Sequence, residues 1–321
     1  MSILVPRIEY GPFEYPIFYE FWEKQQAAHW LHTEISMASD INDWKTVLSD
    51  KEKHLIGSVL KGFTQSEIFI GNDYWNKVAR NFKKPEIQMM ATTFSAFESI
   101  HAVGYSYLEE SLGIQNYKSF LEEPTAKAKI DRLMNVKGKS KEDIAMSLAI
   151  FSAFNEGVNL FSSFAVLLNF SRFNKLKGVG QIIAFSIADE LLHSKAGIEL
   201  FKILVSEHPE ILTDKFKDSI YEAARLTIEL EDNFLEQAFK LGDIEGLTLA
   251  DMKNFIRNKC NEKLVEMGFA KNWKNINKES LDRMQWFDVL SNSNLGHQDF
   301  FSGRPSTYSK GLQNWDEIFN D

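Results

Sequence analysis

Two short segments of this chain carry a glutamate and a histidine three residues apart within an apolar, helical pattern. They read FESIHAVGY and DELLH. Of the seven histidines, only His101 and His193 have a glutamate at this spacing before them, Glu98 and Glu190. Residues three apart share one face of a helix, so each pair can direct both side chains at one bound ion. Ionisable pairs where a core is expected limit what this chain can fold into more than any other feature.

Each pair follows another apolar helical segment that contains a glutamate of its own. Glu67 lies in LKGFTQSEIFIGNDYW, and Glu156 lies in IAMSLAIFSAFNEGVNLFSSFAVLLNF. We expect the chain to turn near 81–85 and again near 172–178. At a rise of about 1.5 Å per residue, the two glutamates of each helix pair then stand at the same height in an antiparallel hairpin. The spacing therefore predicts that four glutamates and two histidines converge in the middle of a bundle.

The charge of such a cluster predicts bound metal. Four buried carboxylates without partners would take up protons, whereas two divalent cations neutralise them. Ligation by several oxygens and one nitrogen per ion suits iron or manganese better than structural zinc. Two helices with a Glu and two with Glu-x-x-His describe the ferritin-like dimetal carboxylate proteins. A single Glu-x-x-His is more often a surface pair, but that interpretation does not explain two pairs with partner glutamates.

The rest of the chain fits an all-α, ferritin-like helical bundle. There are only 7 Pro and 17 Gly, and no segment alternates with the period of a half-buried strand. Ser49 with Glu52 and Ser140 with Asp143 have the spacing of capping boxes. We expect helices at about 15–31, 50–79, 85–113, 141–170, 179–205, 214–241 and 249–269. We also expect one domain, 1–296, followed by a flexible C-terminal tail, 297–321, which lacks helical periodicity.

Composition excludes several classes of function. The net charge of −9 without a basic block argues against a nucleic-acid or anionic-membrane partner. The single cysteine, Cys260, excludes an internal disulfide, and the N-terminal residues lack a signal-peptide pattern, so we expect a cytoplasmic protein. The apolar run 144–170 is interrupted at its middle by Asn155, Glu156 and Asn159, which favours a buried core helix over a membrane span.

Over nearly its full length the chain resembles the small, radical-generating subunit of class I ribonucleotide reductase. FESIHAVGY resembles that family's third-helix motif, and NEGVNLFSSF and SIADELLHSKAG resemble its later ligand helices. The resemblance implies that Tyr105, one turn beyond His101, is the tyrosine that carries a stable radical. It also implies that the metal ligands are Glu67, Glu98, His101, Glu156, Glu190 and His193.

The same resemblance implies a route for long-range electron transfer. Trp30 matches the family's pathway tryptophan, and Asp189 matches the aspartate that joins it to a metal-bound histidine. The tail is expected to dock on the large catalytic subunit, with Tyr308 as the tyrosine that passes the radical across. The family also implies a homodimer and a centre activated by oxygen or a reduced oxygen species. A flavoprotein activator is a possible further partner.

Two departures from the family pattern leave alternatives open. In the family the first-helix ligand is often aspartate, whereas here it is Glu67. Glutamate at this position occurs in branches of the family that use manganese or a mixed metal pair. Residues matched to the surroundings of Tyr105 are Leu160, Phe164 and the polar Ser186. A metal-centred oxidant, with Tyr105 as a bystander, is therefore an alternative to a tyrosyl radical. A stand-alone dimetal oxidase or oxygenase of the same fold is the alternative function, although it would need neither Trp30 nor the tail.

Overall fold

The computed structural model of this protein describes residues 2–114, 123–134 and 138–293. The described chain is all-α, as predicted, with no β-strand in these ranges and only an isolated bridge between Ile244 and Leu247. The α-helices are α1 Pro16–Ala27, α2 Ala38–Thr46, α3 Asp50–Phe69, α4 Asn76–Asn81, α5 Pro85–Leu112, α6 Pro124–Met134, α7 Lys141–Leu148, α8 Leu160–Arg172, α9 Lys177–Glu207, α10 Asp214–Ala238, α11 Leu249–Glu266 and α12 Lys278–Ser293. Short 3₁₀ turns cover His32–Glu34 and Pro209–Ile211.

Two long hairpins form the centre of the bundle. In the first, α3 continues through a π-helical segment, Ile70–Trp75, into α4, and the chain then returns along α5. In the second, α7 continues through a π-helical segment, Ala149–Asn159, into α8, and α9 returns. Helix α5 packs on α3 and α1, and α9 packs on the second π segment and α8. Both turns lie where the sequence predicts them.

Local sequence explains where these helices begin and end. At the start of α3, the Glu52 carboxylate accepts a hydrogen bond from the Ser49 backbone N–H at 2.8 Å, and Ser140 with Asp143 forms the same capping box before α7. Pro85 occupies the first turn of α5, where its missing N–H leaves no helical bond unmade. Gly113 ends α5 at φ 70°, a left-handed conformation that favours glycine.

The two π-helical segments were not predicted. A π turn adds one residue to the i→i−4 ladder and so rotates the side chains that follow it; such turns occur often at functional sites. The first segment begins three residues after Glu67, and the second contains Glu156. Each therefore lies beside a predicted ligand, where helical spacing counted from sequence alone is least accurate.

The sequence prediction differs from the structure at several helices. Helix α1 ends at Ala27 rather than near residue 31, so Trp30 lies in the loop after it, although its side chain is buried. Helices α2, α6 and α12 were not predicted. In α12, the buried Met284, Phe287 and Leu290 are spaced three apart, an apolar stripe that could have revealed the helix.

The central apolar helix is a core helix by its burial. Residues 141–172 are long and apolar enough to cross a membrane, but 78% of the most apolar window is buried inside the protein. A single hydrophobic cluster extends through the described chain from Ile3 to Phe287. The predicted domain end at 296 and the tail 297–321 lie outside the described residues.

Candidate metal centre

Four helical elements direct six ionisable side chains into the middle of the bundle. Helix α3 contributes one, α5 and α9 contribute two each, and the second π segment contributes one. All six have at most 1% of their surface exposed. In chain order they are Glu67, Glu98, His101, Glu156, Glu190 and His193. The six residues that the sequence analysis singled out as ligands are therefore brought together.

The six side chains form two overlapping groups of four. The first adds Glu67 and His101, and the second adds Glu156 and His193, to a shared pair, Glu98 and Glu190. Within each group, one ligand atom per residue lies within 4.8 Å of the others. Each group thus offers three carboxylates and one imidazole, and both pairs of three-apart residues contribute to each.

The shared carboxylates face both imidazoles. His101 Nδ1 lies 3.3 Å from Glu98 Oε2 and 3.0 Å from Glu190 Oε1. His193 Nδ1 lies 2.9 Å from Glu98 Oε1 and 3.8 Å from Glu190 Oε2. The two oxygens of each glutamate therefore point to different imidazoles, as a carboxylate bridging two ions requires. The outer glutamates, Glu67 and Glu156, each belong to one group only.

The buried polar atoms of this cluster fit a pair of cations. Among the described residues, no hydrogen-bond partner of good geometry reaches either oxygen of Glu67, Glu98 and Glu190 or the Nδ1 atom of either histidine. A buried carboxylate without a partner is costly, and the usual remedies are a proton or a metal ion. The donor set of oxygen with one nitrogen per group matches iron or manganese in type.

The pKa values of three carboxyl groups show the same demand for positive charge. Burial raises the pKa of Glu67 well above its ordinary value, and the neighbouring charges of Glu98 and Glu190 raise it further. Burial also raises the pKa of Glu156 and of Glu190, again reinforced by nearby carboxylates. Without a cation, these groups hold protons that a cation would displace.

Glu98 and His101 respond in opposite ways to the same surroundings. Burial acts to raise the pKa of Glu98, but the charges of the His193 and His101 imidazoles, which lie 2.9 Å and 3.3 Å from its oxygens, outweigh burial and lower the pKa. Burial acts to lower the pKa of His101, but the hydrogen bond with Asp189 and the close contacts with Glu190 and Glu98 raise the pKa well above its ordinary value. Glu98 is therefore the carboxylate that the imidazoles hold ionised.

A hydrogen-bond network on the far side of the imidazoles orients both rings. Asp189 Oδ2 lies 3.0 Å from His101 Nε2 and accepts from the Trp30 indole N–H at 2.9 Å. The Trp30 ring also stacks on His101, with ring centres 6.0 Å apart. The sequence analysis missed Gln25, whose amide donates to Asp189 Oδ1 at 2.7 Å and whose Oε1 lies 3.1 Å from His193 Nε2. No motif pointed to Gln25, because its role depends on how α1 packs on α9.

A second indole, also missed, lies on the other side of the cluster. Trp75, at the end of the first π segment, donates its indole N–H to Glu156 Oε1 at 2.9 Å. Its ring meets His193 edge-on at 5.7 Å. Phe94, one turn before Glu98 on α5, covers the face of His193 at 4.2 Å. Aromatic side chains therefore enclose the second group and exclude water from it.

Tyr105 lies one turn beyond His101 and is fully buried. Its ring centre lies 6.2 Å from that of His101. The ring stacks on that of Phe63, with the two ring centres 4.6 Å apart. Among the described residues, its hydroxyl makes no hydrogen bond of good geometry. Burial raises the pKa of Tyr105, while His101 and the nearby Ser186 act to lower it. Ser186 itself donates to the Ile182 carbonyl at 3.1 Å.

The predicted surroundings of Tyr105 are partly as expected. Ser186 lies close enough to influence the phenol, as the matching implied. Phe164 reaches the tyrosine through Phe63, on which it stacks at 5.2 Å. Leu160 is buried beside Phe63 at a small internal cavity. Phe63 itself was missed, although it precedes Glu67 by one helical turn.

One predicted site residue cannot be placed. Tyr308 and the tail that contains it lie outside the described residues, so their assignment stays a prediction.

Comparisons with known proteins agree on one family. Residues 7–279 match the family described as Ribonucleotide reductase, small chain. The probable ribonucleoside-diphosphate reductase small subunit 048L of Invertebrate iridescent virus 3 is 34% identical, over 97% of this chain and 86% of that protein. The R2 subunit from Clostridium botulinum superposes with a TM-score of 0.78 at 20% identity, covering 89% of this chain and 91% of that one. Dimanganese(II) NrdF from Streptococcus sanguinis has a TM-score of 0.72 at 23% identity, covering 87% and 99%. The two structures confirm the ferritin-like helical fold.

Proposed function

This chain belongs to the ribonucleotide reductase small-chain family, and on that premise we propose that it generates the oxidising equivalent for its enzyme. The enzyme is an oxidoreductase, and curated relatives of this chain are named as the small subunit or the beta subunit of ribonucleoside-diphosphate reductase. In this proposal the large subunit reduces ribonucleotides to deoxyribonucleotides, and the small subunit supplies the one-electron oxidising equivalent that starts each reaction.

Two metal ions would be held by the two groups of side chains described above. Glu67, Glu98, His101 and Glu190 would hold one ion, and Glu98, Glu156, Glu190 and His193 would hold the other. Iron or manganese held there would supply, with oxygen or a reduced oxygen species, an oxidant strong enough to remove an electron from a phenol. Glu67 and the dimanganese form of a structural neighbour support manganese, and the ligand set accepts iron equally well.

Tyr105 would store the oxidising equivalent as a neutral radical. Losing an electron makes a phenol strongly acidic, so its proton must leave with the electron. The carboxylate of Glu67, whose charge acts to raise the pKa of Tyr105, would be the proton acceptor in this proposal. Phe63 and the surrounding apolar side chains exclude water and reductants from the ring. If the oxidising equivalent stays at the metal ions instead, Tyr105 only packs beside them.

The oxidising equivalent would leave the site through His101, Asp189 and Trp30. Continuous hydrogen bonds join the three residues, and the Trp30 ring also stacks on His101. The Asp189 carboxylate can retain the indole proton when Trp30 is oxidised and return it when Trp30 is reduced. From there the path would continue to Tyr308 in the tail, which docks on the large subunit. We also propose a cytoplasmic homodimer, with a flavoprotein activator as a further candidate partner.

The paired groups of three carboxylates and one imidazole, with Tyr105 one turn away, carry this proposal. The experiment is low-temperature EPR on protein activated separately with iron and with manganese, with metal content measured on the same samples. An organic doublet that is lost in Tyr105→Phe and kept in Tyr107→Phe supports the tyrosyl radical.

Other outcomes of the same experiment separate the alternatives. A metal signal that supports turnover with the large subunit and survives Tyr105→Phe places the oxidising equivalent at the metal ions. Binding of about two metals without either signal contradicts the proposal, since six ligands in this arrangement should then serve another dimetal reaction.

A further inference from the structure

Trp75 joins the second ligand group to a neighbouring tyrosine. Its indole N–H donates at 2.9 Å to Oε1 of Glu156, one of the three carboxylates of that group. Its ring centre lies 4.8 Å from that of Tyr74, the residue before it in the first π segment. An aromatic contact of this length, with a hydrogen bond at one end, is a short path for an electron. Neither residue has a role in the path through Trp30.

The surroundings of Tyr74 allow it to lose and regain a proton. It is 1% exposed, and its ring stacks on Phe151 at 4.5 Å with the planes 8° from parallel. Its hydroxyl and Ser152 Oγ are hydrogen-bonded at 2.7 Å. A Cβ at position 197 would overlap the Ser152 hydroxyl, so Gly197 leaves room for this hydrogen bond. The phenol therefore has a hydrogen-bond partner within the second π segment that can relay its proton.

Tyr74 also lines a cavity at the surface. The cavity has a volume of about 300 Å³ and lies between α4 and α7. Lys77 and Lys139 contribute positive charge to its lining, while the Asp143 carboxylate is engaged by the Ser140 backbone N–H and hydroxyl. A cavity of this size accepts a small molecule, and the two lysines favour an anion.

We propose that Trp75 and Tyr74 form a second one-electron path, from the Glu156 side of the metal site to this cavity, where a small anionic reductant binds. The path rests on the proposed function, because an oxidant that can oxidise buried Tyr105 can also oxidise a tryptophan or tyrosine in contact with the ligands. Its purpose is discharge: an oxidising equivalent that is not passed to the large subunit leaves by this path.

The steps balance in electrons and protons. Trp75 gives one electron to the oxidised centre and keeps its indole proton in the hydrogen bond to Glu156. Tyr74 then gives one electron to Trp75 and its phenolic proton to Ser152 Oγ, while Ser152 passes its own hydroxyl proton to the Glu156 carboxylate, with which it also interacts. The reductant gives one electron to Tyr74, Glu156 returns a proton to Ser152, and Ser152 returns one to Tyr74. The net change is that the reductant loses one electron and the centre gains one.

The test measures how fast the oxidised, metal-loaded protein is reduced in the absence of the large subunit. Two probes of opposite charge are added without oxygen: dithionite, an anion, and reduced methyl viologen, a cation. Decay of the EPR and optical signals is followed by stopped flow and freeze-quench. We expect Tyr74→Phe to slow the decay severalfold with dithionite, and Tyr107→Phe, which alters a tyrosine outside both paths, to leave it unchanged.

Charge at the cavity gives an independent readout. Reversing Lys77 and Lys139 to glutamate should slow reduction by dithionite by about tenfold and leave or accelerate reduction by methyl viologen. If the Tyr74→Phe protein loses metal, Ser147→Trp is used in its place. The tryptophan fills the cavity and should slow reduction of the protein by both probes. In Tyr105→Phe protein we expect a transient tyrosyl signal that narrows with ring-deuterated tyrosine and is absent when Tyr74→Phe is added.

The outcomes distinguish the two proposals. If the wild-type protein forms an oxidised centre but Tyr74→Phe and Ser147→Trp decay at the wild-type rate, the second path is wrong and the proposed function stands. If no oxidised centre forms in protein that binds metal, the proposed function fails before the second path is tested by decay. Decay that depends on Lys77 and Lys139 but not on Tyr74 also overturns the path.

Discussion

Tyr105→Phe should stabilise the metal-free protein, which is unusual for the loss of a buried polar group. The Tyr105 hydroxyl is fully buried and, among the described residues, makes no hydrogen bond of good geometry. The Ser186 hydroxyl is nearby, but it donates its proton to the Ile182 carbonyl, so only its oxygen is available as a weak acceptor. Phenylalanine keeps the ring and its stacking on Phe63.

The magnitude follows from what the substitution removes. A buried polar group without a partner costs about 1–3 kcal/mol, and removing it recovers part of that cost. Weak acceptance by Ser186 reduces the gain, so we expect Tyr105→Phe to raise the free energy of unfolding by about 1 kcal/mol. The matched control is Tyr107→Phe, since the Tyr107 hydroxyl donates to the Ile35 carbonyl at 3.0 Å. Its loss should lower the free energy of unfolding by about 1 kcal/mol.

The assay is reversible urea unfolding of both variants and wild type, free of metal, at one pH. Each substitution removes a phenolic hydroxyl from the same helix. Changes of opposite sign in the free energy of unfolding would therefore isolate the effect of the hydrogen bond. A loss of stability in Tyr105→Phe equal to that in Tyr107→Phe would show that the Tyr105 hydroxyl is well hydrogen-bonded, and our account of its surroundings would be wrong.

Three further outcomes test the site. Glu98→Gln should lower the affinity for both metal ions, because Glu98 belongs to both groups, whereas Glu156→Gln should weaken one; metal titration with elemental analysis distinguishes them. The metal-free protein should lose stability as the pH rises. For Glu67 and Glu156 the loss begins above pH 4.5, where these groups ionise in the unfolded chain, and continues up to their raised pKa values in the folded protein. For His101 the loss begins above pH 6.5 and continues up to its raised pKa. The slope is about 1.4 kcal/mol per pH unit for each proton that the folded state retains and the unfolded chain has lost, and stability that rises across this range would contradict the pKa directions. Trp30→Phe should keep metal content and the radical signal but abolish turnover with the large subunit, and full turnover would exclude the path through Asp189.

Features set by local sequence were predictable. The capping boxes at Ser49 and Ser140, Pro85 at the start of a helix and the positions of both turns depend on residues near each other in the chain. The six ligand candidates were also within reach, because two Glu-x-x-His pairs and two partner glutamates can satisfy their charges only by meeting. Helix spacing alone is enough to place them at one level of the bundle.

Other features depend on packing between distant segments. The structure alone shows that Glu98 and Glu190 are shared, that Gln25 lies between Asp189 and His193, and that Trp75 meets Glu156. These contacts join residues far apart in sequence, and none has a periodic signal. The π segments belong to this class, since they reset helical spacing beside the ligands.

The sequence by itself determined the helical fold, its two central hairpins and the side chains available to the candidate metal site, because periodicity, caps and buried charge are local or additive properties. The tertiary structure decided which carboxylates lie between the imidazoles and which aromatic rings touch the ligands. Those choices depend on the angle and rotation at which the helices pack, and these arise from contacts between segments that are far apart in the sequence.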